Sequence, residues 1–143
     1  MIHLKLITLS GTEIDEDVYE VMVPTTGGTI GVYGGHAPLL GEVAAGLLSV
    51  RKKKTDSNDQ RDQYGVYDGT VEILNDTIQV LVDELDTPFE VSEQEAQAAL
   101  KRAEEMISKA KDAVSLSEAQ AMMDRQAIRL QLANLKKHSK RKY

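Results

Sequence analysis

The side chains with the most chemical potential in this 143-residue chain lie in three places. The first is Gly31–Leu40, Gly-Val-Tyr-Gly-Gly-His-Ala-Pro-Leu-Leu, set between two strand-like runs. Glycine admits positive φ and close backbone approach, and proline fixes φ and withholds a donor. The segment is therefore expected to be a loop with a demanding backbone. A glycine-rich loop cradles phosphate when Lys-Ser/Thr closes it. None follows Gly28, Gly31, Gly34 or Gly35, so no nucleotide-binding site is expected there. The second place is Asp15-Glu16-Asp17, whose carboxylates have no nucleophile or base beside them and read as a solvated surface run. The third is the basic tail, with Arg125, Arg129, Lys136, Lys137, Lys140, Arg141 and Lys142 in the last nineteen residues. His3, His36 and His138 show no metal-ligand spacing, and cysteine is absent. No catalytic residue, metal site or cofactor is assigned.

The elements that must position these groups fall into two parts. Ile2, Leu4 and Leu6 alternate with polar neighbours, as do Val21 and Val23, Leu48 and Val50, Val71 and Ile73, and Ile78, Val80 and Val82. Period two places one set of side chains on one face of a sheet. Turn chemistry falls between the runs at Ser10-Gly11, Asp68-Gly69 and Asn75-Asp76. No helical pattern interrupts them, which predicts an antiparallel β-sandwich over residues 1–88. Lys52–Asp62 is wholly polar and predicts an exposed loop at the tip of a hairpin. Its Arg51–Lys54 run is neutralised by Asp56, Asp59 and Asp62 and has no interleaved aromatics, so no nucleic-acid partner is expected.

Residues 89–143 read as a two-helix antiparallel hairpin. Ser92-Glu93-Gln94-Glu95 matches a capping box. Ala96, Ala99, Leu100, Ala103, Ile107 and Ala110 then recur at helical spacing. Ser115-Leu116-Ser117-Glu118 predicts a second helix start, and Ala121, Ile128, Leu132 and Leu135 mark its stripe. A seam rich in alanine buries little area, so the hairpin is expected to be marginal alone, docked weakly and able to move.

Hydrophobic residues make up 41% of the chain and aromatics 4%, so the core must be aliphatic. The net charge of −6 is uneven: residues 1–91 carry 6 basic and 16 acidic side chains, and residues 92–143 carry 11 and 7. Such asymmetry implies parts that meet different partners. No apolar run approaches a membrane span and no signal or transit peptide is visible. A soluble protein working where it is made is expected, in a bacterial cytoplasm or in an organelle that translates its own genes.

The loop Gly31–Leu40 resembles the Gly-x-Tyr-Pro-Gly-His-Ala-Pro-Leu-Leu loop of epsilon subunits of F-type rotary ATP synthases, with Gly34 where that family often has proline. Tyr67–Ile73 is similar to the family's Gly-Gly-x-x-Glu-Val, keeping one glycine of the pair. Ile78–Asp83 resembles its Val-x-Val-Leu-x-Asp, and Lys101–Glu105 is similar to its first C-terminal helix. The order of parts agrees over nearly the whole chain.

This resemblance implies a non-catalytic central-stalk rotor subunit that couples c-ring rotation to ATP synthesis. It would be monomeric when isolated and peripheral to the membrane through the complex, at the cytoplasmic face of a bacterial plasma membrane or on a plastid thylakoid. The implied partners are the gamma subunit and the c-subunit ring. The implied contact residues are Thr29, Gly31, Tyr33, Gly35, His36, Pro38, Leu39 and Leu40. Extended C-terminal helices would meet the alpha/beta catalytic head and inhibit ATP hydrolysis, with Arg125, Arg129, Lys136 and Lys137 contacting beta. Some members bind ATP through Ile/Leu-Asp-x-x-Arg-Ala. Val91–Ala96 has Ser92 for the aspartate and Glu95 for the arginine, which opposes a phosphate tail. The competing reading is a free-standing small β binding module with a helical oligomerisation element, which predicts self-association through residues 92–143.

Overall fold

The computed structural model describes residues 1–88 and 92–141, with side chains described as far as Leu135. The chain divides into two compact units, one ending at Leu85 and one beginning at Asp86.

The first unit contains β1 (Ile2–Thr8), β2 (Gly11–Val18), β3 (Glu20–Thr25), β4 (Gly28–Tyr33), β5 (Leu39–Val43), β6 (Gly46–Arg51), β7 (Asp62–Val66), β8 (Gly69–Leu74) and β9 (Thr77–Val82). A two-residue strand, β10 (Leu85–Asp86), straddles the division. The strands form two layers, β7-β6-β3-β4 and β5-β8-β9-β1-β2. They join where Thr25 at the end of β3 pairs with Val43 at the end of β5. The alternating aliphatic residues supply the inner faces, as period two requires. The row Leu39, Ile73, Ile78, Leu4 crosses four strands. Val21, Val23, Val32, Leu48, Val50 and Val66 face it from the other layer, all buried.

The sandwich and the helical hairpin are as expected, with one exception: β1 and β9 run parallel. Alternation reports which face a side chain takes, and says nothing about strand direction. β1 and β9 are separated by the rest of the unit, so no tight turn dictates their sense.

Turn residues do specific work at two points. Asn75 and Asp76 both take left-handed φ, 50° and 57°, which closes the two-residue β8–β9 hairpin. At Gly69, a Cβ would lie 1.9 Å from the Leu81 carbonyl oxygen, so only glycine fits.

The Lys52–Asp62 segment is less uniformly solvated than its polarity suggests. A 3-10 turn at Asn58–Gln60 interrupts it, with the Gln60 Oε1 accepting from the Ser57 N–H at 2.8 Å. The Arg61 side chain is only 15% exposed. The Lys52 ammonium pairs with Glu16 at 3.3 Å and Asp62 at 3.6 Å, linking β2 to the β6–β7 pair. At the outer edge of the other layer, β2 has β1 as its strand partner. His3 on β1 contacts two of its carboxylates, Asp17 at 2.8 Å through Nδ1 and Asp15 at 2.5 Å through Nε2.

The second unit contains α1 (Glu93–Lys109) and α2 (Ala113–Arg141), packed as an antiparallel hairpin. Ser92 caps α1, its hydroxyl accepting from the Glu95 N–H at 3.4 Å. The second helix starts earlier than expected. Asp112 accepts from the Ser115 N–H at 2.7 Å through Oδ1, and its carbonyl accepts from the Leu116 N–H at 3.1 Å. Asp112 is thus the cap and Ser115 lies inside the first turn. A carboxylate at that position also meets the positive end of the helix dipole. Ala96 and Ala103 of α1 and Ala119, Ile128, Leu132 and Ala133 of α2 are buried. Ala121, expected in the stripe, is exposed. The seam follows the seven-residue repeat Ala119–Gln126–Ala133, which leaves Ala121 on the neighbouring face.

Candidate functional site

The expected loop is partly strand. β4 pairs with β3 through Tyr33, with Gly31 opposite Met22 and Thr29 opposite Pro24. Only Gly34–Pro38 is irregular, because the ladder with β3 satisfies the backbone up to that point. Leu39 and Leu40 open β5. Alternation separates them: Leu39 packs against the core and Leu40 stands 77% exposed. Leu39 is thus half-buried, with one side against the core. Thr29, Gly31, Tyr33, Gly35 and Pro38 are exposed, and His36 is half-buried. His36 Nδ1 lies 2.6 Å from the neighbouring Ala37 carbonyl and donates to it in the tautomer that protonates Nδ1.

Two carboxylates, one buried and one exposed, bond to this stretch. Register places Glu20 between Tyr33 on β4 and Arg51 on β6, all on the outer side of their layer. The Tyr33 hydroxyl donates to the Glu20 carboxylate, and Arg61 reaches over from the β6–β7 connection to form an ion pair with it. Glu20 is 1% exposed and is the buried acid of the sandwich. Asn58 bridges the arginines: its Oδ1 accepts from Arg51 at 2.9 Å and from Arg61 at 3.3 Å. Burial pushes the Glu20 carboxyl up. The Tyr33 and Arg61 hydrogen bonds and the two arginine charges outweigh it, so the pKa lies below its ordinary value. The bond to Glu20, then burial, raise the Tyr33 phenol. The Tyr33 ring also meets Tyr19 edge-on at 5.6 Å between centroids.

The second carboxylate is Asp76. Its Oδ1 accepts from the Gly35 N–H at 2.7 Å, and its carbonyl accepts from the His3 N–H at 2.9 Å. Gly35 takes φ 80°, a left-handed conformation that favours glycine. Gly34 lies against the N-terminal residue, where a Cβ would sit 2.9 Å from the Met1 carbonyl oxygen.

Glu20, Arg61, Asp76 and Met1 were not singled out by residue type. Glu20 carried a weak signal: an acid in the polar phase of a strand whose register partners are Tyr33 and Arg51. Asp76 read only as a turn residue, and its bond to Gly35 spans 41 positions.

The basic residues lie in the other unit. The Arg129 guanidinium pairs with Asp86 at 3.5 Å, and Arg125 is half-buried. The side chains of Lys136, Lys137, Lys140, Arg141 and Lys142 lie outside the described residues, as does Val91 of the aligned ATP motif. Among the described residues, no group of three or more His, Asp or Glu could hold a metal, and no helix is long and apolar enough to cross a membrane.

A family model for the ATP synthase delta/epsilon chain β-sandwich domain matches residues 1–87. The chain belongs to the ATP synthase delta/epsilon family. The kinship expected from the Gly31–Leu40 residues therefore holds, and the first unit is the family's sandwich domain. Two relatives, the ATP synthase epsilon chains of Staphylococcus aureus strains JH9 and Newman, are each 29% identical over 136 residues. The match spans 94% of this chain and 98% of theirs. The fold is also similar to solved chains. One belongs to the Euglena gracilis mitochondrial ATP synthase OSCP/F1/c-ring structure, with TM-score 0.77 and 20% identity over 88% of this chain and 77% of that one. Another belongs to the Tetrahymena thermophila mitochondrial ATP synthase central stalk/c-ring structure, with TM-score 0.58 and 13% identity over 90% and 93%. At these identities the solved chains bear on the fold of this delta/epsilon family member alone.

Proposed function

We propose that this chain is a non-catalytic rotor subunit in the central stalk of an F-type ATP synthase, coupling c-ring rotation to ATP synthesis. The observation that carries the reading is the match to epsilon chains, which spans both units rather than the sandwich alone. In this reading the sandwich binds the gamma subunit and the c ring. Thr29, Gly31, Tyr33, Gly35, His36, Pro38, Leu39 and Leu40 provide that contact. The chain is held at the membrane surface through the complex, at the cytoplasmic face in a bacterium. The helical unit regulates: Arg125, Arg129, Lys136 and Lys137 meet the catalytic beta subunit when the helices extend, and ATP hydrolysis is inhibited. Arg129 would first have to leave Asp86.

The test is to tag the chain in its host, solubilise the membranes gently and identify what is recovered. Gamma, the alpha and beta subunits and the c ring are expected. Recovery of the chain alone from the soluble fraction would return the free-standing binding module to first place. Removing residues 113–143 is expected to raise ATP hydrolysis by the reconstituted head, and unchanged hydrolysis would remove the inhibitory role. Calorimetry with ATP is expected to show no saturable binding, because Glu95 opposes the phosphates where a cation is needed.

A further inference from the structure

Two consecutive glycines, Gly34 and Gly35, begin the irregular part of the proposed contact surface. A Gly-Gly pair has more backbone freedom to lose than any other dipeptide, so such a stretch is poorly ordered unless it is tied down. A proline at position 34, as in the family loop this segment resembles, would stiffen it covalently. Here a Cβ at 34 would lie 2.9 Å from the Met1 carbonyl oxygen, so a side chain would force the Met1 backbone to shift. The restraint must come from outside the stretch, and it is present on both sides. Tyr33, before the pair, is bound to Glu20, itself buried and paired with Arg61. The Gly35 N–H, at its second residue, is bound to Asp76. The two acids come from β3 and from the β8–β9 turn, far apart in sequence and in separate layers.

We infer that Glu20 and Asp76 are positioning residues: together they hold Tyr33 and Gly35 in the geometry that the Thr29–Leu40 surface presents to its partner. This rests on the rotor reading above. Glu20 is buried and cannot face the partner; Asp76 is exposed, but its Oδ1 is engaged by the Gly35 N–H, and both acids act by ordering the stretch before it binds. Pre-ordering raises affinity by removing a cost that binding would otherwise carry.

The test uses the full chain with Asp76→Gly, which removes the carboxylate while suiting the left-handed φ of 57°, and with Asp76→Asn, which keeps an acceptor oxygen. Tyr33→Phe tests the other anchor with the ring retained. Two readouts are taken: amide exchange of Gly35 by NMR, and affinity for a gamma–c-ring assembly. Asp76→Gly is expected to lose Gly35 protection and to bind roughly fivefold more weakly. Its unfolding midpoint should stay near that of the unaltered chain, and Asp76→Asn should recover most of both losses. Tyr33→Phe is expected to weaken binding in the same direction. Protected Gly35 in Asp76→Gly would overturn the anchor whatever the chain binds. A freed Gly35 with unchanged affinity would overturn the positioning role and leave the rotor reading standing. If the unaltered chain fails to bind the assembly, the rotor reading falls and the inference falls with it.

Discussion

The sandwich buries Val, Leu and Ile across two layers, whereas the helical hairpin buries four alanines with Ile128 and Leu132. An aliphatic side chain removes several times more apolar area from water than a methyl group does. The sandwich also ties sequence-distant strands together, and the hairpin rests on neighbours joined by a short turn. Two ways of stabilising a unit therefore sit in one chain: one by bulk apolar burial and buried charge pairing, one by close backbone approach and helix caps. The difference teaches that the same substitution class should have unequal consequences in the two units.

The sharpest test lies in the sandwich. Gly69→Ala places a methyl group on the Leu81 carbonyl and against Val82. It is expected to cost more than about 4 kcal/mol and to abolish the cooperative β transition in urea. Next is Arg61→Ala, which strands the buried Glu20 carboxylate and is expected to cost about 3 kcal/mol by chemical denaturation. A loss below about 1 kcal/mol would show that solvent replaces the arginine and that charge pairing does not set the sandwich apart.

In the hairpin, Leu132→Ala is expected to cost about 2 kcal/mol, at the lower end for a buried leucine because its neighbours are small. Amide exchange should speed up across α1 and α2 while the β strands keep their protection. Equal loosening of the strands would merge the two units into one cooperative body and break the comparison.

The smallest effects follow pH. Hydrogen bonds from the Ser115 backbone and side chain lower the Asp112 carboxyl. Its capping contribution is present above the ordinary carboxylate range and is lost as pH falls through the lowered value. Helicity should therefore drop at acid pH, and Asp112→Asn should flatten that response. His3 goes the other way. Its bonds to Asp17 and then Asp15 raise its pKa above 6.5. The His3 contribution is complete below 6.5 and is lost as pH rises through the higher folded value. An imidazole NMR titration with a midpoint at or below 6.5 would sink this assignment.

The sandwich was legible because Leu4, Val21, Val80 and their like announce an inner face within a few residues. What stayed hidden depends on partners far away in the chain. The parallel β1–β9 pair is one case, and the strand identity of Gly31–Tyr33, which rests on the β3 ladder, is another. Arg61 looked solvated because its neighbours are polar, yet the acid it covers lies 41 positions earlier. In the helices, a rank of alanines fits two adjacent faces about equally, so the step from Ala121 to Ala119 was not decided by composition. The exposure of Leu40 and the core-facing position of Leu39 follow from alternation once β5 is recognised. The reach of Asp76 to Gly35 follows from no local pattern.

The acidic outer strand β2 has a consequence for solubility. An edge strand offers unpaired backbone groups that a second copy could extend into a continuous sheet. Glu13, Asp15, Glu16 and Asp17 make self-association of this edge electrostatically unfavourable, since two copies would bring eight carboxylates into one ladder. Only part of that charge is offset locally, by His3 and Lys52. Acidification removes the repulsion, so a strand guarded by its charge at neutral pH becomes a template for aggregation.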